Sequence, residues 1–272
     1  MYERVRLGYY PEGRRKAFTL SFDDGMTTDV KVVEILNKLG VKGTFHLNAG
    51  RFGMRKSLLT AEEAASLYVG HEVSCHSFTH PSLNLVPEGN LVYEILEDRR
   101  QLEGMFGTLV RGISYPNGAH NEHVADVLRT CGIQYARTCK ATGKFGVPDD
   151  FMFWHPTTSF YDPEAEKKLK HIIGSKVNSY LGIYYWWTHS CDIGSKDAWA
   201  DFESLVSRAV EADSEIWVAT NIEICDYVTA LRQLQISADQ TIVRNPSCLD
   251  LWIEVGFDNP VKIPAGQTVK IQ

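Results

Sequence analysis

The stretch Phe18-Thr19-Leu20-Ser21-Phe22-Asp23-Asp24-Gly25 decides how this chain is read. Aromatic, aliphatic and β-branched residues run up to two adjacent carboxylates and a glycine, which predicts a buried strand whose C-terminal tip carries acids into a turn. Successive strand residues point to opposite sides, so the two acids can reach different targets. One can hold a metal ion while the other stays free as a base. Asp-Gly is also ordinary turn chemistry, and a solvated turn is the alternative for this stretch taken alone.

The 272 residues carry a formal net charge of −6 and 44% hydrophobic residues. That suits one large α/β domain or two modest ones, with ample length for an apolar core. No Lys/Arg cluster stands out, which argues against a nucleic-acid partner or an anionic membrane surface. Cysteines 75, 131, 139, 191, 225 and 248 form no C-x-x-C pair, so neither a structural zinc knot nor a thioredoxin-like motif is suggested. Residues 1–16 lack a basic tip followed by an apolar segment, and no run of about 18 apolar residues occurs. The expectation is a soluble, cytoplasmic protein with free thiols, or a secreted one whose leader has been trimmed.

Working outward from the opening strand, apolar spacing predicts helices over 29–39, 60–68, 90–106, 121–131, 198–211 and 224–235. Strands are predicted over 41–48, 71–75, 109–115, 133–137, 180–187 and 215–220. Asp162-Pro163-Glu164 reads as a further helix start, with an acid at the N-cap and proline at N1. Residues 138–160 read as a long irregular connection, a length that in compact domains tends to be functional. Seven strand-helix units in alternation predict an α/β fold of the parallel-barrel kind. From about residue 237 the texture changes to short strands broken by Asn245-Pro246, Asp258-Asn259-Pro260 and Pro264-Ala265-Gly266. The expected organisation is a barrel over 1–236 and a small β-rich extension over 237–272 packed on it.

Parallel barrels gather functional groups where their strands end. That rule places Asp23, Asp24, His76, His80, Pro116-Asn117-Gly118 and His189 on one face. His76-Ser77-Phe78-Thr79-His80 sets two imidazoles four apart, one helical turn, so both can face one metal ion together with Asp24. An Asp and two His leave open positions for water and substrate, as a catalytic site requires. His46 is read as a core residue or one bordering the site, and Tyr184, Tyr185 and Trp186 as barrel strand.

The runs Ser21-Phe22-Asp23-Asp24-Gly25, His76-Ser77-Phe78-Thr79-His80, Tyr115-Pro116-Asn117-Gly118 and Trp187-Thr188-His189, in that order, resemble the motif set of the polysaccharide deacetylase family, the NodB-homology proteins or carbohydrate esterase family 4. The resemblance spans residues 18–189. It implies a distorted (β/α)7 barrel holding a divalent metal, zinc first, with cobalt, nickel, iron or manganese as alternatives. It implies hydrolysis of N-acetyl groups on an N-acetylated carbohydrate. Asp24, His76 and His80 would then be metal ligands, Asp23 the general base, His189 the general acid, and the backbone N–H of Asn117 an oxyanion donor.

Two motifs depart from the family's pattern. Its third usually carries an Arg two residues before the proline, and Ser114 stands there; Arg137, at the end of the next strand, is the expected replacement. The fourth is met by Asp150-Phe151-Met152-Phe153-Trp154, whose Asp150 would hydrogen-bond His189 and support its protonated form. Trp154 and Trp187 would wall a pocket for the acetyl methyl, with ordinary core packing as the alternative. Two other functions stay open: an amidohydrolase acting on a small non-sugar amide, and a non-catalytic carbohydrate-binding barrel.

Overall fold

The computed structural model describes residues 5–175 and 181–271. Strand β1 (Val5–Tyr9) leads to β2 (Lys16–Asp23), which is buried along its whole length, as a strand covered on both faces must be. Then follow α1 (Asp29–Lys38), β3 (Thr44–Leu47), α2 (Ala61–Leu67), β4 (Glu72–Cys75), α3 (Glu88–Phe106), β5 (Gly112–Ser114), α4 (Glu122–Thr130) and β6 (Tyr135–Arg137). The chain continues through β7 (Thr158–Ser159), α5 (Ala165–Gly174), β8 (Gly182–Thr188), α6 (Ser190–Ser195), α7 (Trp199–Glu211), β9 (Ile216–Val218) and α8 (Asn221–Arg232). Five short strands end it: β10 (Gln235–Ile236), β11 (Ile242–Arg244), β12 (Leu251–Val255), β13 (Pro260–Ile263) and β14 (Thr268–Lys270).

Strands β6-β5-β4-β3-β2-β8-β7 pair in that order, all parallel, and the sheet curls into the distorted (β/α)7 barrel. One edge of β2 is taken by β8; β3 and β9 share the other, β3 at the end that carries Asp23 and β9 at the start. Helices bury their apolar stripes against the outside, for example Val32 and Leu36 of α1 and Leu91, Ile95 and Leu102 of α3.

The connection over 138–160 turns out to supply the closing stave. Trp154 donates its N–H to Ala136 O at 3.0 Å and accepts from Thr138 N at 3.1 Å, a parallel bridge to β6; a few residues on, β7 pairs with β8. The segment thus joins the two ends of the sheet. Its pairing is too brief for an alternating pattern, so the sequence reads as loop. Trp154 is 2% exposed, with ring centroids 4.9 Å from Tyr185, 5.0 Å from Phe151 and 5.7 Å from Tyr135. It is a core plug, which corrects its expected place in an acetyl pocket.

Other boundaries shift for local reasons. Helix α5 starts at Ala165 without a side-chain cap, because Asp162 instead accepts from Thr158 Oγ1 and Glu164 N and pairs with Lys168. Helix α8 starts at Asn221, capped reciprocally by Thr220 and Glu223. Helix α6 has no counterpart among the predicted elements. Of the strand predicted over 180–187, residue 180 lies outside the described residues. In the terminal region β12 pairs antiparallel with β13 and with β1, so the first strand of the chain joins the last part of it. No helix among the described residues is long and apolar enough to cross a membrane.

Removing the plug tests the closure: Trp154→Ala should lower the unfolding free energy by about 3–5 kcal/mol in denaturant titration. A loss under ~1 kcal/mol would show that the stave is held without it.

Candidate active site

The two carboxylates of the opening stretch are separated by backbone geometry. Asp23 is the last residue of β2, 2% exposed, while Asp24 sits at φ 79°, in the left-handed region that an Asp tolerates in a turn, and Gly25 follows at φ 64°. Asp23 therefore stays in the barrel mouth and Asp24 turns toward the neighbouring loops. The Arg137 guanidinium donates to Asp23 Oδ2, and Ser114 Oγ donates to Oδ1 at 3.1 Å. Arg137 reaches this position because Ser114 and Arg137 are register partners on β5 and β6. Its Cζ lies 4.1 Å from the Trp187 ring centroid. Burial opposes ionisation of Asp23 and is the largest single influence, but the charge of Arg137 together with His76, His46 and His189 outweighs it and holds the carboxyl well below its ordinary range.

His76 and His80 converge without a helix, which corrects the helical-turn reading. The segment between them is a loop with Ser77 at φ 60° and His80 at φ 68°, and the imidazole centroids come to 4.7 Å. Its backbone is clasped by polar side chains. Asp98 accepts from His76 N (3.1 Å) and Ala49 N (2.7 Å), Glu94 accepts from Thr79 N (2.7 Å), and Asn48 Nδ2 donates to the Ser77 carbonyl at 2.7 Å. Glu94 and Asp98 lie on the buried face of α3 with Leu91, Ile95 and Leu102. Two acids on an apolar stripe were the sequence signal for this clasp.

His76 Nδ1 lies 2.8 Å from the Ser114 carbonyl and 2.6 Å from its hydroxyl, which leaves Nε2 as the nitrogen facing Asp24. From Asp24 Oδ1, His80 Nε2 stands at 3.6 Å and His76 Nε2 at 3.9 Å. Ligand atoms of Asp24, His76 and His80 all fall within 4.8 Å of one another. Burial pushes His76 down to about 4 and also lowers His80, so both rings are neutral near pH 7, the form that binds a metal. One carboxylate, two neutral imidazoles and an outer hydrogen bond fixing a ring fit a divalent ion with open positions.

His189 follows β8, with Nε2 3.9 Å from Asp24 Oδ2 and its ring 5.8 Å from that of Trp187. Its Nδ1 faces Asp192 Oδ2 at 3.3 Å. Asp150, expected in that role, is elsewhere: it caps the turn at Met152 and pairs with Arg129 on the surface. Asp192 supplants it because α6 begins directly after His189 and brings a residue three positions on back against the ring. Had α6 been anticipated, the spacing His189-x-x-Asp192 was there to be read. Asn117 occupies a tight turn after β5 at φ 57°, with Nδ2 3.2 Å from Ser82 Oγ. His46 is fully buried beside Asp23 in register, and burial pushes it down to about 3.

Residues 11–136 match the polysaccharide deacetylase family model. The chain is 28% identical over 135 residues to the peptidoglycan-N-acetylglucosamine deacetylase PgdA of Listeria monocytogenes, covering 48% of this chain and 28% of that protein. It is 29% identical over 199 residues to the chitin disaccharide deacetylase of Vibrio alginolyticus, covering 64% of this chain and 46% of the relative. Among solved structures, a Mycobacterium smegmatis protein described as a candidate polysaccharide deacetylase superposes with TM-score 0.61 at 18% identity, over 82% of this chain and 93% of that one. A Bacillus anthracis protein described as a CE4 family pseudoenzyme superposes with TM-score 0.54 at 18% identity, over 80% and 67%. Over residues 11–136, a little under half of its length, the chain resembles the polysaccharide deacetylase family. It spans less than half the length of either curated relative, and the family match ends at Ala136, so Arg137, Trp187, His189 and Asp192 rest on the geometry alone.

A buried carboxyl beneath the site gives a pH test. Asp29, at the start of α1, accepts from Tyr68 and from Ser190, the residue after His189, so it ties α1 to the loop that carries that imidazole. Burial pushes it from the ordinary 3.8 up to about 7, against those two hydrogen bonds. Between these values the folded state keeps a proton that the unfolded state releases, so stability falls as pH rises through this window, by up to roughly 1.4 kcal/mol per pH unit. Asp29→Asn should flatten the decline of melting temperature from pH 4 to 7; an unchanged slope would assign the decline to other groups.

Proposed function

We propose that this protein is a metal-dependent hydrolase that removes the N-acetyl group from an N-acetylated amino sugar. One observation carries the reading: Asp23 Oδ2 and His189 Nε2, a base and an acid, each stand 3.9 Å from a member of the Asp24, His76, His80 donor group. A barrel that only bound sugar would need neither. Both curated relatives carry sugar deacetylase names, which supports an N-acetylated saccharide over a small non-sugar amide.

A divalent ion held by Asp24, His76 and His80, zinc first, would supply Lewis acidity toward the amide carbonyl and bring water within reach of deprotonation near neutral pH. The protein's own groups do the rest. Asp23, kept ionised by Arg137 and Ser114, takes a proton from the attacking water. So strongly stabilised a carboxylate is a weak base, and it would suffice where the ion held by Asp24, His76 and His80 acidified that water. His189, oriented by Asp192, gives a proton to the leaving amine. The turn at Asn117 offers its backbone N–H to the developing oxyanion. Trp187 packs against Arg137, the partner of the base, on one side and near the His189 ring on the other.

Acetate release from N-acetylglucosamine oligomers, beside release from small amides, tests the reaction. Asp23→Asn and His189→Ala should each lower kcat by about 10²-fold or more, and chelation should abolish turnover. Stoichiometric metal binding with acetate released only from small amides would overturn the sugar assignment.

Arg137→Ala should cost about 3–5 kcal/mol of stability by leaving Asp23 buried and unpaired, and should lower kcat more than it raises KM. Full activity in that variant would remove Arg137 from the mechanism.

A further inference from the structure

Among the described residues, and outside the groups used so far, Arg51 faces the candidate metal centre. Arg51 ends a short turn (Ala49–Arg51) that follows β3, and its side chain is only 15% exposed. Its Nη1 donates to Asp24 Oδ1 at 3.1 Å and to Asn48 Oδ1 at 3.4 Å. Asp24 Oδ1 is also the carboxylate oxygen toward which His76 and His80 turn Nε2. The guanidinium and the two imidazoles therefore address the same oxygen.

The placement is not that of a loose surface arginine. Arg51 N donates to Asn48 O at 3.0 Å, and Gly50 N donates to Phe78 O at 3.1 Å, inside the loop that carries both histidines. A Cβ on Gly50 would lie 2.6 Å from that same Phe78 oxygen, so the close approach of the two loops needs glycine here. Arg51 is thus pinned to the framework that holds His76 and His80.

A group beside a ligating carboxylate can either orient it and strengthen metal binding, or repel the ion and weaken it. Two facts decide between these. The guanidinium lies on Oδ1, the same oxygen that the two imidazoles face, whereas a partner that only oriented the carboxylate would hold its other oxygen. Repulsion between a guanidinium and a dication on one oxygen is poorly screened in a site this enclosed.

We propose that Arg51 is a built-in competitor for the divalent cation: it neutralises Asp24, lowers the affinity of the Asp24, His76, His80 site for its ion, and makes that ion exchangeable. The proposal rests on the metal-site reading above.

The test is a titration of the metal-stripped full chain with Zn²⁺ against a chromophoric chelator, for wild type, Arg51→Gln and Arg51→Lys, with circular dichroism as the check on folding. Arg51→Gln should bind Zn²⁺ about 10-fold or more tighter, and Arg51→Lys, which keeps the charge, should stay within about 3-fold of wild type. Affinity that is equal or weaker in Arg51→Gln, or that rises as much in Arg51→Lys, overturns the proposal and leaves the metal site standing. Absence of saturable binding in all three proteins overturns the metal site and the proposal with it.

Discussion

The ion pair between Asp23 and Arg137 is the constraint on which the rest of the site depends. Both side chains are out of contact with water, and either one alone in that place would be a buried unpaired charge. The pair is kept because strand pairing fixes its geometry: Ser114 and Arg137 sit opposite each other on β5 and β6, and a small residue on one strand leaves room for a long one from the other. Ser114 then uses its hydroxyl for Asp23 and its carbonyl for His76, so one residue connects the base to a metal-ligating ring.

Around that pair the site is built from loops made rigid by helix α3. Acids that would be costly in an apolar face are made acceptable by accepting backbone N–H groups from the loops above them. Asp98, buried between Ala49 and His76, illustrates the balance. Burial pushes its carboxyl up to about 8 although both amides favour the charged form. Precision in the positions of His76 and His80 is thus obtained from buried polar groups at some expense in stability.

Much of this was legible in the residues. Phe18 to Gly25 announced a strand ending in two acids with separate targets, although the separation comes from the left-handed turn at Asp24, just past the strand, and not from the alternation of strand side chains. Arg137 could be named from the end of its strand. What escaped was of two kinds. Trp154 and β7 were misread because a stave that pairs through one residue at one end and two at the other has no periodicity. Asp150 was put in place of Asp192 because a motif spacing was followed where a helix start immediately after His189 made the local carboxylate the nearer one. Glu94 and Asp98 showed only as two acids on an apolar stripe and Arg51 gave no signal; their partners are backbone atoms and carboxylate oxygens of other loops, which a linear reading does not juxtapose.

The serine on β5, faced by an arginine on β6, bears on how a carboxylate at a barrel mouth is searched for its partner. A motif that demands an arginine two residues before Pro116 passes over this one. Asking instead which cation faces the carboxylate, whatever strand it comes from, finds it. Groups in such a mouth are better indexed by neighbourhood than by position along a motif.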